Sequence, residues 1–436
     1  MPKPQYDVLI VGAGAAGLVA AAELARAGRS ALMLEARDRI GGRVFTLKNP
    51  GFPIPLELGA EFIHGRVKAT FEVLEAAGQA ALDAAGEHWM RRGGRLAKMG
   101  DARFKEIQGS LERAASLRRK DVSFAQYLRQ TQLSAESRSF ARLMVEGFDA
   151  AEPTEVSALS IADEWRSGGE ADAPLFRPLD GYSDLLASLE RRLAGSLVRL
   201  QLQTVVRAVK WRRGSVEATG EFLNTPFRAT AARAIITLPL GVLQRAEHDP
   251  DAVRFTPPLE AKQKALQDLA SGPVLKVLLR FRHAFWERLA RGRYQDGRFF
   301  HAPDEPFPTF WTALPRRVPL MVAWTGGPKA AALSNKSSQE VIDIAVRSLQ
   351  STLGARAVAS QLQEAWVHDW QRDPFARGAY SYVRVGGSHA RKTLATPLDD
   401  TLFFAGEAAD VEDEAGTVAG ALQSGRRAAQ LVQSLP

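Results

Sequence analysis

The 436-residue chain contains no cysteine. That excludes disulfides, thiolate metal sites and thiol nucleophiles. No apolar run reaches the ~20 residues that a membrane-spanning helix needs. There is no low-complexity tract and no internal repeat. No basic run with interleaved aromatics occurs either, although the net charge is +8. The basic pairs, such as Arg91-Arg92, Arg212-Arg213 and Arg316-Arg317, are scattered, which fits solvated faces better than a nucleic-acid surface. Neither a membrane nor a nucleic acid is therefore an expected partner, and no metal ligand is assigned. The chain enters an apolar strand almost at once, so no signal peptide is expected and the cytoplasm is the expected compartment. What remains is ordinary for a soluble globular protein: 45% hydrophobic and 24% charged residues, and length enough for two or three domains.

The most specific local pattern is Tyr6–Val11, an apolar strand, followed by Gly12-Ala13-Gly14-Ala15-Ala16-Gly17. A helix over about Ala13–Ala27 and a second strand, Ala31–Leu34, come next, and Glu35 ends that strand. Gly12 suits a tight turn, Gly14 a close approach to a pyrophosphate, and Gly17 close packing of helix on strand. The helix start aims unpaired N–H groups at the phosphates, and Glu35 can accept from a ribose hydroxyl. This order of parts predicts an adenine dinucleotide site. The run Glu35-Ala36-Arg37-Asp38-Arg39-Ile40-Gly41-Gly42-Arg43 extends it with further backbone amides and a guanidinium for an anion.

Further along, Thr70 to about Arg166 reads as mostly helical, and Ser167–Asp180 as a connection. Short strands are predicted at Leu197–Leu202, Val205–Trp211, Ser215–Thr219, Arg233–Thr237, Val274–Phe281, Leu320–Trp324 and Leu402–Ala405. Helices are predicted at Leu259–Leu269, Ser338–Leu353 and Thr417–Val432. Lys276 stands out: the strand around it is apolar on both faces, and a buried ammonium is costly unless paired or neutralised. An edge-strand lysine is the alternative.

With these segments in view, the chain resembles the flavin-dependent amine oxidase superfamily, over nearly its whole length. The resemblance rests on Glu35–Arg43, Leu58-Gly59-Ala60-Glu61-Phe62-Ile63-His64-Gly65, Thr237–Leu243, Phe255–Leu259, Asp373–Tyr382, and Phe404-Ala405-Gly406-Glu407 through Gly416-Thr417-Val418 to Gly425. The polyamine oxidase and lysine-specific demethylase branch matches better than monoamine oxidases. The resemblance implies an α/β fold: a Rossmann-type FAD-binding domain from residues 1–69, 175–260 and 385–436, interleaved with a mixed-sheet and helical substrate domain from residues 70–174 and 261–384. It implies non-covalent FAD, since no cysteine is present for a thioether. It assigns FAD contacts to Gly12, Gly14, Ala16, Gly17, Glu35, Ala36, Arg37, Gly42, Arg43, Gly59, Ala60, Glu61, Phe62, Val206, Thr237, Trp370, Gly406, Glu407, Gly416, Thr417 and Val418.

The same resemblance assigns catalytic positions to Lys276, Tyr380, Thr417 and His64. Lys276 matches a lysine that bridges through water to flavin N5; burial disfavours its charged form. Tyr380 matches an aromatic wall beside the flavin, and Thr417 the opposite wall, where it also suits helix capping. His64 matches a contact to substrate nitrogen, with a structural histidine equally open. Trp370 and Phe375 read either as flavin-lining or as core. The implied reaction is oxidation of an amine to an imine, with hydride transfer to N5 and oxygen reduced to hydrogen peroxide. The expected partners are thus a small amine, polyamine-type favoured, and molecular oxygen. An FAD-dependent desaturase or oxidase of an apolar substrate is the alternative. Phe62 replaces a frequent Trp, and Ala419 a frequent His. The demethylases' chromatin-binding module and long helical arm are lacking, which argues against histone substrates.

Overall fold

The computed structural model describes residues 4–49, 51–100, 102–114, 116–167, 174–246 and 248–435. Two large sheets organise them. The first has eight strands. Its parallel part sets Val198–Gln201, Ala31–Leu34, Tyr6–Val11, the end of Thr225–Ile236 and Leu402–Phe404 side by side. Ala31–Leu34, Tyr6–Val11 and Leu402–Phe404 are largely buried and nearly all apolar, as parallel strands covered on both faces must be, while Val198–Gln201 at the edge keeps Arg199 exposed. Alternate side chains serve opposite faces. Val8 and Ile10 pack with the helices Ala15–Arg26, Tyr182–Arg191 and Val418–Gln433. Leu9 and Val11 pack with an antiparallel meander formed by Thr204–Arg212, Ser215–Phe222 and the first half of Thr225–Ile236. That last strand is shared: Ala231 pairs with Tyr6 on one side and Val216 on the other.

The turn after the first strand is tight in the way the sequence predicts. Gly12 has φ +108°, and a Cβ there would stand 2.5 Å from the Thr237 hydroxyl. At Gly17 the constraint is contact, not conformation: a Cβ would overlap the Gly12 carbonyl oxygen.

The second sheet has seven strands, in the order Leu362–Asp369, Val274–Phe281, Leu320–Gly326, Thr309–Thr312, Gly297–His301, Glu87–Arg92 and Arg95–Lys98. It is mixed, because Gly297–His301 runs parallel to Glu87–Arg92 while its other pairings are antiparallel. The helix Ser338–Leu353 covers one face; a capping box of Ser337 and Glu340 starts it and left-handed Gly354 ends it. A helical layer that includes Ala102–Arg113, Phe124–Gln130, Ala135–Gly147 and Ala158–Ser167 forms a separate core. Among the described residues no helix is long and apolar enough to cross a membrane.

The helical reading of Thr70–Arg166 is corrected at residues 81–98, which form three strands. The signal was Gly93-Gly94: both residues have positive φ and close the two-residue hairpin between Arg92 and Arg95. Strands at Gly297–His301, Thr309–Thr312, Leu362–Asp369 and Tyr380–Val383 are further additions. Of the predicted connection Ser167–Asp180, residues 168–173 lie outside the described residues, and Leu175–Pro178 is a strand.

Because Gly17 has no room for a methyl group, Gly17→Ala must push the helix Ala15–Arg26 off its strand. The expected cost is about 1–3 kcal/mol. A thermal melt should show a midpoint several degrees lower, and the purified protein should retain less nucleotide.

Candidate active site

A single cavity of about 1270 Å³ runs from the Gly12 turn to the face of the second sheet. Sites for drug-sized ligands measure about 300–1,000 Å³, so this one has room for a dinucleotide and a substrate together. Every site residue expected from the sequence lines it except Gly17, which packs behind the turn.

At the nucleotide end, the helix Ala15–Arg26 starts at Gly14 with no side chain capping its N–H groups. The Glu35 carboxylate accepts from Ala13 N at 2.8 Å and Arg37 N at 2.9 Å. A carboxylate has about four acceptor positions, so two are left for ribose hydroxyls. Burial pushes the Glu35 carboxyl above its ordinary range, and those two amides pull the other way. The cradle therefore fits an adenine dinucleotide: small residues where the chain must approach, open amides at the helix start, and an acid at the end of the second strand. Arg37 pairs with Asp373 at 2.7 Å, which draws residues 373–375 over the cavity beside Phe375.

Some expected cofactor contacts are engaged elsewhere. Glu407 receives Arg43 at 2.8 Å and the Ser381 hydroxyl at 2.6 Å, so it holds Arg43 in place. The Thr237 hydroxyl reaches the carbonyls of Val11 and Gly12, clamping the glycine turn. Trp370 donates its indole N–H to Leu58 O at 3.0 Å and so braces the loop leading to Gly59. Val206, Gly406, Gly416 and Val418 line the cavity as expected.

Lys276 lies in an interior strand, between Trp324 and His368, and is 1% exposed. It is no edge residue, and it is not an unpaired ammonium. Its Nζ donates to Glu61 Oε2 at 2.7 Å and to Gly59 O at 3.1 Å. Glu61 also receives Arg177 Nε at 2.9 Å and the Trp311 indole N–H at 3.0 Å. Burial alone would push Glu61 up; Lys276 and Arg177 outweigh it and hold the carboxyl below its ordinary range.

Around this group stand Phe62, Phe299, Trp311 and Trp324, in ring contacts of 5.6–5.9 Å. Tyr380 donates its hydroxyl to Phe148 O at 2.5 Å. Gly416, one residue before Thr417, lies 3.7 Å from the Tyr380 ring by the position a Cβ would take. The fold thus brings the two expected walls together. Thr417 also caps the helix Val418–Gln433: its hydroxyl accepts from Gly420 N at 3.1 Å and donates to Glu414 O at 2.7 Å. His64 sits edge-on to Phe148 at 5.3 Å. Burial, reinforced by Arg298, lowers its pKa to about 4, so at neutral pH it is an uncharged donor and acceptor.

Arg177, Trp311, Trp324, Arg298, Asp149 and Glu164 also line or brace the chamber and were not singled out in the sequence. Arg177, Trp311 and Arg298 lie on short strands that lack a clean alternation, and Asp149 and Glu164 belong to no motif. Among the described residues no group of three or more His, Asp or Glu is placed to hold a metal.

The sequence profile of the family described as flavin containing amine oxidoreductase matches residues 15–433, and the chain belongs to that family. Lysine-specific histone demethylase 2 of Homo sapiens is 27% identical over 99% of this chain and 54% of its own length. The chain thus spans about half of that relative. Polyamine oxidase 2 of Arabidopsis thaliana is 28% identical, over 97% of this chain and 87% of its own. A solved putrescine oxidase, bound to putrescine, superposes with a TM-score of 0.82 at 24% identity, covering 100% of both chains. Cyclohexylamine oxidase from Brevibacterium oxydans gives 0.81 at 19% identity, covering 98% and 99%. These last two show a shared fold.

His64, His88 and His301 are all driven down by burial, to about 4, about 3 and about 4. Unfolded histidines titrate near ~6.5, so the unfolded chain binds more protons below that pH. The histidines' own contribution to stability falls as pH drops through 6.5 toward 4, by about 1–2 kcal/mol each by pH ~5, while Glu57 and Glu414, raised by burial to about 7, contribute in the opposite direction. In His88→Phe, the urea midpoint at pH ~5 relative to that at pH ~7.5 should therefore be higher than the same ratio in the unsubstituted protein.

Proposed function

We propose that the chain is an amine oxidase that holds FAD without a covalent bond. It would oxidise the C–N bond of an amine to an imine, with oxygen reduced to hydrogen peroxide and a polyamine-type substrate favoured. The observation that carries this reading is the continuity of the cavity, which joins the dinucleotide cradle to the chamber of Lys276, Tyr380, Thr417 and His64. In this division of labour, residues 1–69, 175–260 and 385–436 serve the cofactor and residues 70–174 and 261–384 the substrate.

Gly12, Gly14, Gly42 and Arg43 would hold the pyrophosphate, Glu35 the ribose and Val206 the adenine side. Gly59, Ala60, Gly406, Gly416 and Val418 would frame the ring system. When bound, the flavin accepts a hydride equivalent from the carbon beside the amine nitrogen and delivers the electrons to oxygen. The protein's own groups supply position and charge. Tyr380, fixed by its bond to Phe148, offers a flat wall against which the reacting carbon is held, and Thr417 closes the other side. Neutral His64 can accept an N–H of the amine without repelling a cation. Lys276, whose bonds to Glu61 and Gly59 use two of its three N–H donors, would keep the third for a water that attacks the imine. The imine then hydrolyses to an aldehyde and a shorter amine.

The test is anaerobic mixing of the purified yellow protein with spermine, spermidine, putrescine, benzylamine and amino acids. At least one of the first three should bleach the flavin fastest, with a rate that rises with pH as the substrate amine loses its proton. Admitting oxygen should restore the colour and yield one peroxide per turnover. Lys276→Met should keep its flavin yet turn over on the order of a hundredfold more slowly. A protein that stays yellow with every amine sinks the reading.

A further inference from the structure

A second cavity lies outside the chamber and has no part in the chemistry above. It measures about 640 Å³ and opens among the helices Ala102–Arg113, Ser116–Arg119 and Phe124–Gln130. That is the size of a small-molecule site. Its lining is polar: Arg113 and Lys120 bring cations, and Ser110, Tyr127, Gln126 and Gln130 bring neutral donors.

The cations are uncommitted. Arg118, close by in sequence, pairs with Asp163 at 3.8 Å, but among the described residues no carboxylate pairs with Arg113 or Lys120. Glu106, the acid of the lining, is spent on the Ser137 hydroxyl and Ser134 N. The guanidinium is also given a place. Arg113 folds back along its own helix onto Gly109, where a Cβ would stand 3.1 Å from Arg113 Nη1. Glycine weakens a helix interior; here it leaves the space in which the guanidinium lies. Burial raises the Tyr127 phenol, and the nearby Arg113 charge pulls it back. The Ser110 and Tyr127 hydroxyls bond to each other at 2.7 Å. Each carries one O–H and the bond uses one, so the other is unspent. Tyr127 is 4% exposed, and the cavity is where that proton finds an acceptor.

We propose that this cavity is a second ligand site, for a small polar molecule that carries a phosphate. The reading goes beyond the amine-oxidase function and does not depend on it. A guanidinium fork from one helix, an ammonium from the end of the next and a hydroxyl between them suit the three oxygens of a tetrahedral dianion. A planar carboxylate has only two. Gln126, Gln130 and Thr131 offer partners to a hydroxylated body and little to an alkyl chain. The site also has a bearing on the chamber. The helix Ala102–Arg113 turns Phe104 into the chamber, and Gln108 holds Trp165 O at 3.3 Å, with the Phe104 and Trp165 rings 5.7 Å apart. An occupant would sit on the back of a chamber wall.

The experiment is calorimetric titration of the flavin-loaded protein, whose nucleotide cradle is filled, with inorganic phosphate, glucose 6-phosphate, AMP and succinate at constant ionic strength. At least one phosphate probe should bind saturably and more tightly than succinate. If inorganic phosphate matches the esters, the free ion is the occupant; if an ester binds more tightly, the phosphorylated molecule is. Arg113→Gln and Lys120→Gln should each weaken that binding about tenfold or more. Both side chains are exposed, so the thermal midpoints should not move. Arg213→Gln, which removes an exposed guanidinium elsewhere, should leave the affinity unchanged. The site is overturned if no phosphate probe binds, if succinate binds more tightly than all of them, if affinity survives both substitutions, or if Arg213→Gln weakens it equally.

Discussion

The ion pair between Lys276 and Glu61 is the constraint on which the centre of the molecule depends. Lys276 stands on the second strand of the seven-stranded sheet, flanked on both sides, while Glu61 arrives on a loop from the first domain's side of the cavity. An ammonium in that position is tolerable only if a carboxylate meets it, and a carboxylate there is tolerable only with cations around it. Arg177 and Trp311 complete the arrangement. The loop carrying Gly59, Ala60 and Phe62 is thereby pinned to the second sheet, and the chamber acquires its floor. Removing Glu61 alone would leave Lys276 enclosed with only the Gly59 carbonyl, whereas removing Lys276 leaves Glu61 its bonds to Arg177 and Trp311.

Much of this was legible in the sequence, and the reasons are local. The Tyr6–Glu35 segment is readable because each residue answers a short-range demand: Gly12 a positive φ, Gly17 a missing methyl, Glu35 a place at a strand end. The helix Ser338–Leu353 is readable because Ser337, Glu340 and Gly354 mark its ends. Lys276 could be singled out because a lysine in an apolar strand is anomalous. That Glu61 is its partner could not be read, since the two lie 215 positions apart and the resemblance assigned Glu61 to the flavin. The same holds for Arg177, Trp311 and the Asp149–Glu164 pair. The strands around residues 81–98 failed for a different reason: they are short and amphipathic, and only the Gly93-Gly94 turn betrays them.

Charge in the cavity is sorted by position. Arg37, Arg43 and the helix start give the nucleotide end its positive character, with Asp373 and Glu407 fixing the guanidinium groups. The middle is aromatic and bears Lys276, already compensated. Three imidazoles are kept neutral by burial. The carboxyl pair stands apart near Tyr380. A ligand with anionic groups at one end and a separate ligand bearing cations can therefore share the space without exchanging places.

The shared strand Thr225–Ile236 has an implication for how the nucleotide cradle comes into being. One ribbon braces the Gly12 turn at its far end and carries the meander at its near end. The opening 35 residues hold the recognisable pattern, yet alone they are an unbraced fingertip. Their grip exists only after chain more than two hundred residues downstream has returned to close beside them. Nucleotide capture in this molecule requires that closure and is not a property of its first segment alone.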